Sequence, residues 1–262
     1  MHSGYCQDVS TRKGVPLTIG VVVPCFNEEA RWDTNYWREL IAASPARFLF
    51  VDDGSTDSTR QKIDLVTVGT TSKGMYLPVN AGKAEAVRTG LISLLDDESL
   101  DGVGYLDADG AFAIADILRI QSKFGELRRK QSIDAVWSSR VALAGRDIQR
   151  STARHYIGRI VATFVSLGYG AIPYDTQSGF KIFHASDALR VTLNQSFGTR
   201  WLFEIELLAR WQSANGRPMK IWEEPLGYWH DVPGSKIRGL EALRIARELG
   251  IVKREQRRVN QT

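Results

Sequence analysis

Three short acidic clusters, each following an apolar β-branched run, fix the kind of fold open to this chain. "LTIGVVVP" (17–24) leads into "CFNEE", "RFLFV" (47–51) into "DDGSTDST", and "GVGYL" (102–106) into "DADG". Short apolar runs closed by turn residues read as strands buried on both faces, as in a parallel sheet. Two more strands are expected at 74–80 and 133–140, with helical patterns around 28–43, 57–67, 83–95 and 114–129. Strands alternating with helices predict an α/β fold: a Rossmann-like, mostly parallel sheet with helices on both faces. Such sheets take ligands beyond the carboxyl ends of their strands, so the three clusters converge on one edge.

Beyond residue 145 the pattern changes to a long helical stretch, "RDIQRSTARHYIGRIVATFVSLGYG" (146–170), and then "DTQSGFKIF" (175–183). Another helix is expected around "RWLFEIELLARWQSANG" (200–216), followed by a strand and loop in "IWEEPLGYWHDVPGSKIRG" (221–239). No linker and no internal repeat interrupts the chain. The expected organisation is a tail (1–16), one domain (17–238) and a basic helical segment (239–262).

Composition removes several function classes. Of 262 residues, 43% are hydrophobic and 24% charged, as in ordinary globular proteins and unlike disordered ones. Two cysteines, Cys6 and Cys25, are too few for a disulfide framework. No signal peptide precedes the first apolar run, and no run approaches the roughly 20 residues of a membrane span, so a cytoplasmic location is expected. The net charge of +4 comes from an excess of Lys and Arg in 123–159 and 236–258, which suits an anionic partner or a solvated basic face. Nucleic acid is not expected, because the basic residues are not interleaved with an aromatic platform or a recognition motif.

The clusters carry the chemistry. Asp107 and Asp109 at a strand end form either an acidic turn or a grip for Mg²⁺ or Mn²⁺, hard cations that bind carboxylates together with substrate phosphates. Asp52 and Asp53 are costly side by side without donors or a cation, and Asp53 is the expected ligand-gripping member. "NAGKAEAVRTG" opens a helix with Lys83, where backbone N–H groups and an ammonium can serve an anion, but it lacks P-loop spacing. Arg150 and Arg154, at i and i+4, share a helical face, and with Arg140 they suit phosphate oxygens. His230 and Lys236 extend the basic inventory. Glu204 and Glu206 diverge by about 200° on a helix, so one is expected at a site and the other in solvent. No His/Cys cluster has zinc spacing.

Taken in order, "PCFNEE", "VDDGSTDST", "NAGKAEAVRTG", "YLDADG", "DTQSGFKIF", "RWLFEIELL" and "VPGSKIR" resemble an inverting glycosyltransferase of family 2 with the GT-A fold, over roughly residues 17–238. The nearest branch is that of the dolichyl-phosphate glucosyltransferases and polyprenyl-phosphate hexosyltransferases, through "QRSTAR", "DTQSGFKIF" and "RWLFEIELL". The resemblance implies that Pro24, Phe26, Glu28 and Asp53 hold the nucleoside of a sugar nucleotide such as UDP-glucose or GDP-mannose. Phe26 stands where the family often has Tyr. It implies that Asp107 and Asp109 handle the donor diphosphate and its metal, and that Arg140, Arg150, Arg154 and Lys236 meet phosphates, including that of an acceptor lipid. His230 stands where some relatives carry Arg.

A phosphate acceptor arrives ionised and needs no strong base, whereas a hydroxyl acceptor would need Glu204 or Glu206. The expected function is therefore metal-dependent hexose transfer to a polyprenyl phosphate; the alternatives are transfer to a soluble or glycan hydroxyl and sugar-nucleotide binding without turnover. Relatives of the lipid-phosphate branch usually carry membrane helices that are not seen here. Lipid access would then be peripheral, on the cytoplasmic membrane face, through "GLEALRIARELGIVKREQRR".

Overall fold

A computed structural model describes residues 17–130, 133–149, 173–200, 202–230, 248, 250 and 251. The first half alternates as read from the sequence: β1 (Ile19–Cys25), α1 (Thr34–Ala43), β2 (Arg47–Asp52), α2 (Thr59–Thr67), β3 (Lys73–Tyr76), α3 (Lys83–Leu95), β4 (Gly102–Leu106) and α4 (Ile114–Arg129). The second half holds β5 (Ala135–Ser139), β6 (Asp147–Gln149), β7 (Phe180–His184), α5 (Asp187–Thr192), α6 (Phe203–Asn215), β8 (Ile221–Pro225) and β9 (Tyr228–His230).

A seven-stranded sheet runs in the order β3-β2-β1-β4-β7-β5-β8, and β6 pairs with β9 in a separate two-stranded ribbon. All pairings in the large sheet are parallel except those of β7, which runs antiparallel to both β4 and β5. The α/β fold with a mostly parallel sheet is therefore present. The chain moves from β1 outward to β3 and returns to place β4 on the other side of β1. This reversal opens a crevice at the carboxyl ends of β1 and β4, the place where open α/β sheets bind ligands.

Alternation along β1 builds the core on both faces. Ile19, Val21, Val23 and Cys25 join Trp37, Leu40, Ile63, Ile117 and Phe124 from α1, α2 and α4. Val22 faces the other layer, with Val87 and Leu91 of α3 and Phe203, Leu207 and Trp211 of α6. The period of two in the strand thus feeds two helical layers.

Several boundaries differ from the sequence reading. The first helix starts at Thr34 and not near residue 28, because Asp33 caps it by accepting from the N–H groups of Asn35 and Tyr36. Residues 28–31 form a turn in which Arg31 N–H donates to the Glu28 carbonyl at 2.9 Å. β3 ends at Tyr76, four residues before the expected end at 80, and the chain leaves the sheet toward Pro78. Asp147–Gln149, expected at the start of a long helix, is a strand paired with β9, in a region read as loop. The remainder of that expected helix, 150–170, and the segment 239–247 lie outside the described residues.

Candidate active site

Two loops lace together beyond β1 and β2. At Asn27 the backbone takes φ 50°, and its N–H donates to Ser55 Oγ at 2.9 Å. Glu28 N–H donates to Thr59 Oγ1 at 2.8 Å and Glu29 N–H to Asp57 Oδ2 at 3.1 Å, while Thr56 N–H returns a bond to Asn27 Oδ1. "FNEE" and "DGSTDST" therefore form one rim. On it Pro24 is half-buried, Phe26 is 43% exposed, and Glu28 is buried.

The acidic pair at the end of β2 divides its work. Asp53 accepts from the N–H groups of Ala81 at 2.7 Å and Gly82 at 2.8 Å, and from Asn80 Nδ2 at 3.0 Å. Both its oxygens are thus engaged by the 80–82 loop. Asp52 takes one bond, from Ser55 N–H to Oδ1 at 3.0 Å, and keeps its second oxygen unbonded among the described residues. It is the member of the pair with capacity left for a ligand.

The Asp53 anchor has a purpose two residues later. Gly82 sits at φ 95°, a conformation that favours glycine, and the turn starts α3 with Lys83 aimed across the crevice. Lys83 Nζ lies 2.6 Å from Asp107 Oδ1 at the end of β4. Burial pulls the ammonium down, but Asp107, Glu204 and Asp109 outweigh it and hold Lys83 above its ordinary value. Asp107 is seated against Gly179, where an added Cβ would fall 2.5 Å from the Asp107 Cγ. Any larger residue there would have to displace the Asp107 side chain.

Asp109 accepts from Ala111 N–H at 3.1 Å. Burial and then the Asp107 charge push its carboxyl up, against the pull of Lys83 and Arg31. Glu28 is likewise raised, first by burial, with Arg31 opposing and Asp109 and Asp107 adding; Arg31 is bound to it at 2.6 Å. Buried oxygens Glu28 Oε2 and Asp107 Oδ1 have no aligned hydrogen bond, the latter contacting Lys83 as an ion pair. Carboxylates that raise one another's proton affinity, with oxygens left over, fit a hard divalent cation. Among the described residues no three His, Cys, Asp or Glu side chains form a complete cage, and such ions commonly complete their shell with substrate phosphates and water.

Glu204 and Glu206 are both buried, at 3% and 1% exposure, so neither is the solvated partner expected. The first turn of α6 is covered on both sides, by β4 and β7 and by the 198–199 segment. Glu206 accepts from Gly198 N–H, Thr199 N–H, Thr199 Oγ1 and Arg210, and is a structural clamp. Glu204 faces the crevice. Its Oε1 accepts from Tyr105 O–H at 2.8 Å and lies 3.6 Å from Lys181 Nζ, while Oε2 has Gln177 Nε2 at 3.4 Å.

Of the expected phosphate-binding group, the described residues include Arg140 and His230. Arg140 forks onto Asp175 at 2.7 and 2.8 Å, donates its own N–H there, and lies over Trp229. Its charge is compensated within the fold, and it anchors the segment that carries Gln177. His230 contacts Asp147 Oδ2 at 3.1 Å and stacks on Tyr228. Arg150, Arg154 and Lys236 lie outside the described residues. Sequence reasoning missed Arg31, Gln177, Lys181 and Arg200, whose exposed guanidinium lies beside Gly82. A lysine alternating into the apolar run "GFKIF" was the available signal for Lys181.

The sequence profile of glycosyl transferase family 2 matches residues 20–181, well over half of the chain. The chain belongs to this family. It is a glycosyltransferase, and its crevice at the ends of β1, β2 and β4 lies within the matched region. No curated protein matches this glycosyltransferase in sequence. Solved structures share its fold. One is the glucosyl-3-phosphoglycerate synthase of Mycobacterium tuberculosis with Mn²⁺, UDP-glucose and phosphoglyceric acid, at TM-score 0.64 and 19% identity over 92% of this chain and 80% of that one. The same enzyme with Mg²⁺ and UDP gives 0.62 at 20% identity, covering 91% and 79%. A further mycobacterial protein gives 0.65 at 17%, covering 91% and 74%.

Proposed function

We propose that this glycosyltransferase moves a hexose, with inversion, from a UDP- or GDP-sugar to a hydroxyl of a phosphate-bearing acceptor. Asp107 and Asp109 would hold Mg²⁺ or Mn²⁺ with the donor diphosphate, and the ion would supply charge neutralisation at the leaving group. Phe26, Pro24, Glu28 and Asp52 line the nucleoside end, and Lys83 stands at the diphosphate. The observation that carries the reading is Glu204: one oxygen is locked by Tyr105, and the other holds a single long contact among the described residues. A carboxylate so placed can take the proton from a hydroxyl nucleophile as that oxygen bonds to the anomeric carbon and the nucleoside diphosphate departs.

The mycobacterial synthase binds UDP, a divalent ion and phosphoglyceric acid, an acceptor with phosphate and hydroxyl together, which supports this choice. A second reading, transfer to a polyprenyl phosphate with peripheral membrane contact through 239–262, is favoured by the blocks "QRSTAR" and "DTQSGFKIF". A labelled-donor screen against phosphorylated hydroxy acids, unphosphorylated sugars and polyprenyl phosphates tests both. Label in the phosphorylated hydroxy acids is the expected result; label confined to lipid establishes the second reading, and label confined to unphosphorylated sugars defeats both.

Arg150→Ala and Arg154→Ala should raise the acceptor KM, or lower turnover, with little effect on donor affinity. Equal loss of donor binding in calorimetry would put these residues on the nucleotide side. Gly179→Ala tests the seat of Asp107. Overpacking costs about 1–3 kcal/mol, and if that strain is relieved by displacing Asp107, Mn²⁺–UDP binding should weaken by roughly fivefold or more. Unchanged affinity would show that Asp107 has room to move.

A further inference from the structure

Beneath the carboxylates lies an ammonium that the proposed chemistry does not use. Lys181 is at 0% exposure in β7, one strand over from Tyr105 in the antiparallel β4–β7 register. Its Nζ donates to Tyr105 Oη at 2.8 Å and to the Ser178 carbonyl at 2.5 Å, and it lies 4.7 Å from the Trp137 ring centroid. Tyr105 O–H passes the bond on to Glu204 Oε1. A buried charge is costly unless paired and hydrogen-bonded, and one of the two hydrogen bonds this ammonium makes leads through Tyr105 to Glu204.

We infer that Lys181 is a positioning residue for transfer: acting through Tyr105 and by its charge, it locks one oxygen of Glu204 so that the other faces the acceptor. The inference rests on the reading of Glu204 as proton acceptor. The alternative, a lysine that merely fills the core, is poorly served by an ammonium, since a methionine of similar length would pack there without desolvation cost. Lys181 also supplies positive charge from below while Lys83 supplies it from above. Both charges face the Glu204 carboxylate. The charged or titratable groups facing this network are Tyr105 and Asp107 from β4, Lys83 from α3, Asp175 and Arg140 from the loops, and Glu204 itself.

Burial draws the Lys181 ammonium down to about 8 against the opposing pull of Glu204, so its proton is lost within the accessible alkaline range. Transfer in the native enzyme should therefore fall above about pH 8, as Glu204 loses its counter-charge.

The test compares Tyr105→Phe, which keeps the ring, with Lys181→Met, reading kcat, KM, Mn²⁺–UDP affinity and the pH profile on full-length protein. Tyr105→Phe should lower kcat about tenfold, and Lys181→Met about a hundredfold, within the range of general-base contributions, with donor affinity unchanged. The fall in kcat above about pH 8 should be absent in Lys181→Met, which has no ammonium to lose. Wild-type kcat and pH profile in Tyr105→Phe, or in folded Lys181→Met, would overturn the inference. The two readings fail differently. If Glu204→Gln turns over normally, the proton-acceptor reading falls and takes this inference with it. If Glu204→Gln collapses while both other variants are normal, only the positioning role falls.

Discussion

Replacing Asp109 with alanine is expected to reduce transfer by more than about a hundredfold, the scale of losing one preorganised electrostatic group, while the protein stays folded. Asp109 follows β4 at the rim, and its hydrogen bond from Ala111 N–H is the one protein bond it accepts among the described residues. Its carboxyl is pushed up by burial and by Asp107, so the folded state binds its proton more tightly than the unfolded chain does. A group with a raised folded value loses stability as pH rises through that value. The charged form therefore weakens the fold at neutral pH, and alanine relieves that repulsion. The melting temperature should hold or rise while Mn²⁺-dependent turnover disappears. Full activity in the variant, together with full activity in EDTA, would remove the metal-holding role from this site.

The same tension explains why the site was legible in sequence. Acidic residues at the ends of buried strands cannot be there for packing, and three such clusters in one parallel sheet have to meet. The sheet places β1 between β2 and β4, so "FNEE", "DDGS" and "DADG" do share an edge. What sequence could not divide was labour within a cluster. Asp52 and Asp53 are chemically identical, and only the path of the 80–82 loop decides that Asp53 receives three donors.

The second half was less readable because its order in space departs from its order in sequence. β7 enters antiparallel between β4 and β5, which no local pattern announces, and it brings Lys181 under Tyr105 across 76 residues. Arg140 illustrates the same limit. Its partner Asp175 lies 35 residues away and no local pattern announces the pair. Helical divergence correctly separated Glu204 from Glu206 but assumed that the far side was water. Here it is the 198–199 segment and Arg210, so the second carboxylate became a clamp.

That division sets up the other large effect. Glu204→Gln should cost roughly 10²–10⁴ in kcat, the usual contribution of a general base, with Mn²⁺–UDP affinity close to wild type. The amide keeps the shape and can still accept from Tyr105 O–H, so the loss would report the missing basicity and not a collapsed pocket. Glu206→Gln is the matched control. Its carboxylate accepts from two backbone N–H groups, a hydroxyl and Arg210, so the amide should lower the melting temperature while altering kcat much less. A phosphate nucleophile arrives already ionised and needs no general base. Near-normal turnover of Glu204→Gln on the preferred acceptor would therefore reject a hydroxyl nucleophile and leave polyprenyl phosphate as the acceptor to pursue.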